Sequence, residues 1–235
     1  MYMEGRSTSS TAEKLKAVYA DLGRMGYRMA WDIQHNVHAR RVRDEIPDVL
    51  LLVEHEHVIT LGKNAGTDNL KYSEDELNRL GVELYRIERG GDVTYHGPGQ
   101  LVGYPIFKLR GSLAGIKRFI RNMELALIRA MASFGIEAEI SEGYPGIWVG
   151  RDKLAAIGVA VKRWVTFHGF ALNVNTDLSY FDLIVPCGLK DRGVTSMEKI
   201  LGRKVDMDEV KGEVVRAFSE VYNMQFSEAR AEDLI

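Results

Sequence analysis

The chain has 235 residues, is 46% hydrophobic and 27% charged, and carries a formal net charge of −2, a profile typical of soluble globular proteins. That balance excludes bulk attraction to nucleic acid or anionic membrane, and no stretch approaches the roughly 20 apolar residues of a membrane span. One cysteine excludes a disulfide framework and points to a reducing compartment, the cytoplasm.

The polar residues 1–12 read as a mobile tail without a signal-peptide core, ahead of a single domain over 13–235. The pattern predicts a helix from Trp31 to Ile46, ended near Pro47, with Arg40, Arg41 and Arg43 on its wet side. Strands follow at Val49–Val53 and Val58–Gly62. A capping box, Ser73 with Glu76, opens a short helix that Gly81 ends, and Val82–Ile87 alternates as a strand. Ile116–Phe134 is the clearest helix, with one apolar face and Gly135 as its stop. Strands are predicted at Ile147–Val149, Lys153–Val161 and Thr166–Val174, joined by hairpins at Gly150–Asp152 and Lys162–Trp164. Thr195 with Glu198 opens a short helix closed by Gly202, and Asp206 caps a last one carrying Val210, Val214, Phe218 and Val221. Strands in the middle with helices before, between and after them indicate an α+β domain.

Four segments carry chemistry. Residues 89–100, Arg-Gly-Gly-Asp-Val-Thr-Tyr-His-Gly-Pro-Gly-Gln, hold four glycines and a proline, too many for a simple turn. Glycines there let a ligand or strand approach the backbone closely, so the segment reads as a binding loop or a tight β-corner. It has neither dinucleotide-fingerprint nor P-loop spacing. Lys153 heads an apolar strand with small residues Ala155, Ala156 and Gly158, as a solvated strand end or as a cation at the mouth of an apolar slot. His168–Asn175 is a second strand with small residues at intervals. The lone Cys187 sits between Pro186 and Gly188, a setting that suits a presented nucleophile better than a core filler. His35 and His38, and His55 and His57, have spacings that give only a weak zinc signal, and no serine-nucleophile elbow occurs.

Together the segments Arg89-Gly90-Gly91-x-x-Thr94-x-His96-Gly97-Pro98-Gly99-Gln100, Lys153-x-Ala155-Ala156-Ile157-Gly158, His168-Gly169-Phe170-Ala171-Leu172-Asn173-Val174 and Pro186-Cys187-Gly188 resemble the octanoyltransferases of lipoate biosynthesis, the lipoyl(octanoyl) transferase family. Agreement runs in consistent order from about residue 22 to 223, with weaker matches at Tyr27, Ala30, Gln34, Glu54-His55, Thr60-Leu61-Gly62 and Val194-Thr195-Ser196. The resemblance implies a mixed β-sheet core flanked by helices, like the catalytic domain of biotin and lipoate protein ligases. It implies an enzyme that moves an octanoyl or lipoyl group from acyl carrier protein to a lysine of lipoyl domains. Those acceptors are the E2 subunits of 2-oxoacid dehydrogenases and the glycine cleavage H protein.

Carried over by residue, Cys187 falls on the acyl-thioester nucleophile and Lys153 on its catalytic partner. Arg89, Gly90, Gly91, Asp92, Val93, Thr94, Tyr95, His96, Ala156, Ile157, Gly158, Gly169, Phe170 and Ala171 fall on acyl-binding segments. Asp152 stands where the family often has a second basic residue. Thioester-to-amide transfer is downhill, so no cofactor, ATP or metal is implied, and the charge balance suits a monomer. Acidic partner domains call for a local basic surface, for which Lys190 and Arg192 are favoured over Arg118, Arg121 and Arg129 on the outer helix face. The alternatives are an ATP-dependent ligase of the same fold and a non-catalytic acyl-carrier-binding module.

Overall fold

A computed structural model describes residues 14–66, 69–185 and 192–234. In chain order the elements are β1 (Leu15–Met25), α1 (Tyr27–Val42), β2 (Asp48–His55), β3 (Val58–Leu61), α2 (Glu74–Arg79), β4 (Glu83–Arg86), β5 (Val93–His96), β6 (Gln100–Ile106), α3 (Ile116–Ala132), β7 (Glu139–Ser141), β8 (Tyr144–Val149), β9 (Asp152–Lys162), β10 (Val165–Asn173), α4 (Met197–Leu201), α5 (Met207–Val221), β11 (Met224–Glu228) and α6 (Ala231–Leu234). Eight strands form one mixed sheet in the order β11-β1-β2-β6-β10-β9-β8-β7, and β4-β3-β5 form a second, smaller one. Only β1 pairs in parallel within the large sheet, with β11 and with β2.

The apolar run of β2 is continuous because both its faces are buried. Leu50 and Leu52 face the cluster containing Phe119, Met123, Val214 and Phe218 of α3 and α5. Val49, Leu51 and Val53 face Ala30 and Val37 of α1 and Leu234 of α6. Burial of side chains this size stabilises by about 1.5–3 kcal/mol each. The small sheet has its own apolar cluster, in which Ile59, Leu61, Val93 and Tyr95 pack on Leu77 and Ile184.

Several expectations are corrected. α1 starts at Tyr27, with Gly26 as N-cap, and ends at Val42 rather than Ile46. Arg41 is buried, not wet: it donates to Asp48 at 2.6 Å and to Asp44 at 2.6 Å. The N-cap of α4 is Ser196, whose hydroxyl accepts from the Lys199 amide, so Thr195 is left to other partners. The capping box of α2 forms as expected, and the Asp206 carboxylate caps α5. β1, β6 and β11 were not anticipated. The tail over 1–12 lies outside the described residues. Among the described residues no helix is long and apolar enough to cross a membrane.

The β9–β10 hairpin brings Gly158 opposite Gly169, and β6 lies on the other side of β10. Gly169 is required by the sheet itself. A Cβ there would lie 2.5 Å from Pro105 Cδ and closer still to the carbonyl oxygen of Gly103. Gly169→Ala is therefore expected to destabilise by about 1–3 kcal/mol or more, read as a lower denaturation midpoint with unchanged slope. An unaltered midpoint contradicts this packing.

Candidate active site

The glycine loop is held from two sides. The amides of Gly62, Lys63 and Asn64 donate to the carbonyls of Asp92, Arg89 and Gly91 at 3.0–3.1 Å, and the Gly90 amide donates to Val159 of β9 at 3.1 Å. Gly91 has φ of 89°, a conformation that favours glycine. Gly158 is small so that this loop can approach: a Cβ there would meet the Gly90 carbonyl oxygen at 2.9 Å and Arg89 Cδ at 3.1 Å. The buried Arg89 guanidinium donates from Nη2 to the Thr60 carbonyl (2.7 Å) and hydroxyl (3.0 Å), and from Nη1 to the Gly90 carbonyl (3.1 Å). Its charge thus ties the loop to β3.

Between this loop and strands β9 and β10 lies a mainly apolar cavity of about 790 Å³, within the range of small-molecule sites. Arg89, Gly90, Gly91, Asp92, Val93, Thr94 and His96 line it from the loop and β5. Lys153, Ala156, Ile157 and Gly158 line it from β9, and Gly169, Phe170 and Ala171 from β10. Asp92 also has a structural task, accepting from Asn69 Nδ2 at 2.5 Å and from the Val93 amide at 2.8 Å.

Tyr95 is the exception among the expected acyl-binding residues, because it does not line the cavity. It packs in the small-sheet cluster, stacks on Tyr180 and shares a 2.7 Å hydrogen bond with His57 Nδ1. Strand alternation in β5 puts it on the face away from Thr94 and His96. Cys187 lies outside the described residues, as does Lys190. The residues that bracket Cys187, Ile184 on one side and Arg192, Gly193 and Val194 on the other, line the same cavity as Lys153.

Trp148 is buried, and two cations that line the cavity lie over its ring. The Lys153 ammonium sits 4.8 Å from its ring centroid, and the Arg192 guanidinium lies 4.8 Å from the same ring and 4.6 Å from that of Tyr144. Arg192 also donates to Ser141 Oγ at 2.6 Å, so it is held in the wall rather than offered to a partner. Of the outer cations on α3, Arg129 pairs with Glu220 at 3.0 Å and Arg121 approaches Glu124 at 3.8 Å.

Sequence reasoning missed that Ile116 and Ile120, at the start of the apolar face of α3, line the cavity, although Ile120 also packs against the core as the helical period expects. It also left out Tyr144, Phe181 and His168 as lining residues. His168 has φ of 55°, rare for a non-glycine residue, and its imidazole lies 3.6 Å from Glu88 just behind the loop. His35 approaches the same carboxylate at 2.9 Å. With His38 bonded to backbone carbonyls and His55 to Tyr104, the histidines are tied individually. Among the described residues no group of three or more His, Cys, Asp or Glu could hold a metal ion.

Burial pushes His55 down to about 4 and His96 down to about 3. In the unfolded chain both titrate near 6.5, so below that pH the unfolded state binds protons that the folded state does not. Stability from these neutral imidazoles is complete above about pH 6.5 and is lost as pH falls toward 4 for His55 and 3 for His96, on the order of 3 kcal/mol for His55 and about 5 kcal/mol for His96. The melting temperature is expected to fall steadily from pH 7 to pH 4.5. A constant value across that window refutes it.

The mixed sheet, with its cavity between a glycine loop and two antiparallel strands, has the fold of solved lipoate and biotin protein ligases. The bi-partite lipoate protein ligase of Thermoplasma acidophilum superposes with a TM-score of 0.73 at 19% identity, over 94% of this chain and 90% of its own. The biotin protein ligase of Aquifex aeolicus, in complex with biotin and ATP, gives 0.55 at 15% identity over 88% and 70%. Residues 26–219 match the family described as the lipoyl protein ligase A/B catalytic domain. An octanoyltransferase from Caldicellulosiruptor saccharolyticus is 47% identical, covering 94% of both chains, and one from Alkaliphilus metalliredigens is 50% identical over 88% of this chain and 96% of its own. The chain belongs to the lipoyl protein ligase A/B catalytic-domain family and, within it, to the octanoyltransferases of lipoate biosynthesis.

Proposed function

We propose that the octanoyl group is taken from acyl carrier protein onto Cys187 as a thioester and passed to a lysine of a lipoyl domain, with Lys153 as the acid–base partner. The observation that supports this best is a convergence at one cavity mouth. β9 leads from Lys153 directly into the wall formed by Ala156, Ile157 and Gly158, and the residues bracketing Cys187 line the same space.

In the first step the Cys187 thiolate attacks the thioester carbonyl, the carbon–sulfur bond to the carrier breaks, and the carrier thiolate takes up a proton. In the second, the acceptor lysine amine attacks the acyl-cysteine. A carbon–nitrogen bond forms, the thiolate of Cys187 leaves, and the amine proton passes to Lys153, left neutral by giving its own proton to the carrier thiolate in the first step, or to solvent. The first step exchanges one thioester for another, and the second makes an amide, so the sequence runs without ATP. A free thiol with pKa near 8.5 is only a few per cent thiolate at neutral pH, and the Lys153 ammonium raises that fraction. Apolar walls bind the acyl chain at about 0.8 kcal/mol per buried CH₂.

The test is intact-mass analysis after mixing with octanoyl-carrier protein and no acceptor. One added octanoyl group, lost on addition of a lipoyl domain, is expected. Transfer that proceeds with no adduct at any time sinks the thioester route.

A further inference from the structure

A line of buried hydrogen bonds crosses the floor of the cavity, and its two ends fix its direction. At one end is Arg89, which can only donate, and at the other is the main-chain carbonyl of Thr195, which can only accept. The Thr60 hydroxyl accepts from Arg89 Nη2 at 3.0 Å and faces His96 Nε2 at 3.5 Å. His96 Nδ1 meets Gln100 Oε1 at 2.8 Å. The Gln100 amide nitrogen donates to Asn173 Oδ1 at 2.9 Å, and Asn173 Nδ2 donates to the Thr195 carbonyl at 3.0 Å. Every group is buried. Because the Thr195 carbonyl can only accept, Asn173 Nδ2 faces it and Gln100 Nε2 faces Asn173 Oδ1, which fixes both side-chain amides in one orientation and puts a proton on His96 Nδ1 toward Gln100 Oε1.

The line ends on a clamp around Lys153. The Thr195 amide donates to the Lys153 carbonyl at 3.0 Å, and the Lys153 amide donates to the Gly193 carbonyl at 2.9 Å, a parallel bridge centred on Val194. Lys153 stands at the start of β9, where β8 pairs with it on one edge and the pairing with β10 begins only at Ala155, so residues 193–195 hold it on the other.

We infer that Gln100 and Asn173 are positioning residues that set Lys153 at the cavity mouth through Thr195. This rests on the reading of Lys153 as the reacting cation. Bonds aligned head to tail polarise one another and are lost together when one is reversed. Neither Gln100 nor Asn173 has to touch the reacting atoms for this role.

Asn173→Asp keeps the shape and still accepts from Gln100, but it sets a carboxylate oxygen against the Thr195 carbonyl. Its kcat for overall octanoyl transfer is expected to fall roughly 10- to 100-fold, as for a small misplacement of a catalytic group, with KM for the octanoyl donor little changed. In a Lys153→Ala background the same substitution is expected to cost nothing more. Gln100→Glu supplies the second arm. Its protonated acid keeps one acceptor and one donor, and the ionised form loses the donor to Asn173. Its kcat relative to the unsubstituted enzyme should therefore climb as pH is lowered.

Unchanged kcat in folded Asn173→Asp overturns the inference. So does a loss confined to KM or to melting temperature, or a further loss in the Lys153→Ala background. Should Asn173→Asp fail to fold, a flat Gln100→Glu ratio across pH overturns the inference and a rising one supports it. Overall transfer is the readout throughout, so the outcome does not depend on the acyl-cysteine. Absence of the adduct on the unsubstituted enzyme counts only against the thioester route.

Discussion

Cys187→Ala is expected to lower octanoyl transfer by at least about 10³-fold and to remove the mass increment of one octanoyl group expected when the enzyme meets its donor. The size of the effect follows from what the thiol supplies. On the proposed reading, the thiol divides a protein–protein acyl transfer into two steps, each with one partner present. Without it, the acceptor amine and the carrier thioester must meet in a single complex with no group to hold the acyl chain between them. On that reading the cavity of about 790 Å³ is untouched in the variant and should still bind the chain, so KM for the donor should change far less than kcat. Full transfer by Cys187→Ala ends the nucleophile assignment. ATP-dependent attachment of free octanoate would instead place this chain with the ligases that share its fold.

The elements legible in the sequence are those held by apolar burial. β2, β10, α3 and α5 carry side chains whose period matches the faces they bury, and they form close to where the pattern puts them. β1 was invisible because it is held by its neighbours. Lys16, Asp21 and Arg24 interrupt any alternation, and the strand exists because main-chain pairing with β2 and β11 covers it on both edges. Arg41 was misplaced for a similar reason. Its partner Asp48 lies beyond the end of the helix, and composition alone cannot show that a guanidinium and a carboxylate will meet at 2.6 Å inside the protein.

The candidate site shows the same division. The glycine loop announces itself locally, since only a backbone that must turn or be approached needs so many glycines. The reason for Gly158 was only half legible. Its small size reads as lining an apolar slot that something could approach, and the nearest group in that space is the Gly90 carbonyl. Tyr95 sat inside the motif and outside the cavity because a motif read as a loop hides the alternation of the strand it enters. The line from Thr60 through His96, Gln100 and Asn173 to Thr195 joins residues from separate elements. No spacing in the sequence could have joined them.

Lys153 offers a prediction that separates its two roles. As the proposed cation partner of Cys187 it must favour thiolate, and as the proposed acid–base group it must exchange a proton with the incoming amine. Lys153→Ala removes both. Alkylation of Cys187 at neutral pH should slow sharply, and transfer should fall by roughly 10²- to 10⁴-fold, the range for a positioned proton-transfer group. Lys153→Arg keeps the charge and can still stack on Trp148, which the native ammonium approaches at 4.8 Å. A guanidinium does not release its proton near neutral pH. The arginine variant should therefore form the octanoyl adduct and then accumulate it, because donation to the acceptor lysine stalls. Alkylation of Lys153→Ala at the unsubstituted rate removes the electrostatic role. An arginine variant that turns over without accumulating adduct removes the proton-transfer role and leaves Lys153 as a fixed charge alone.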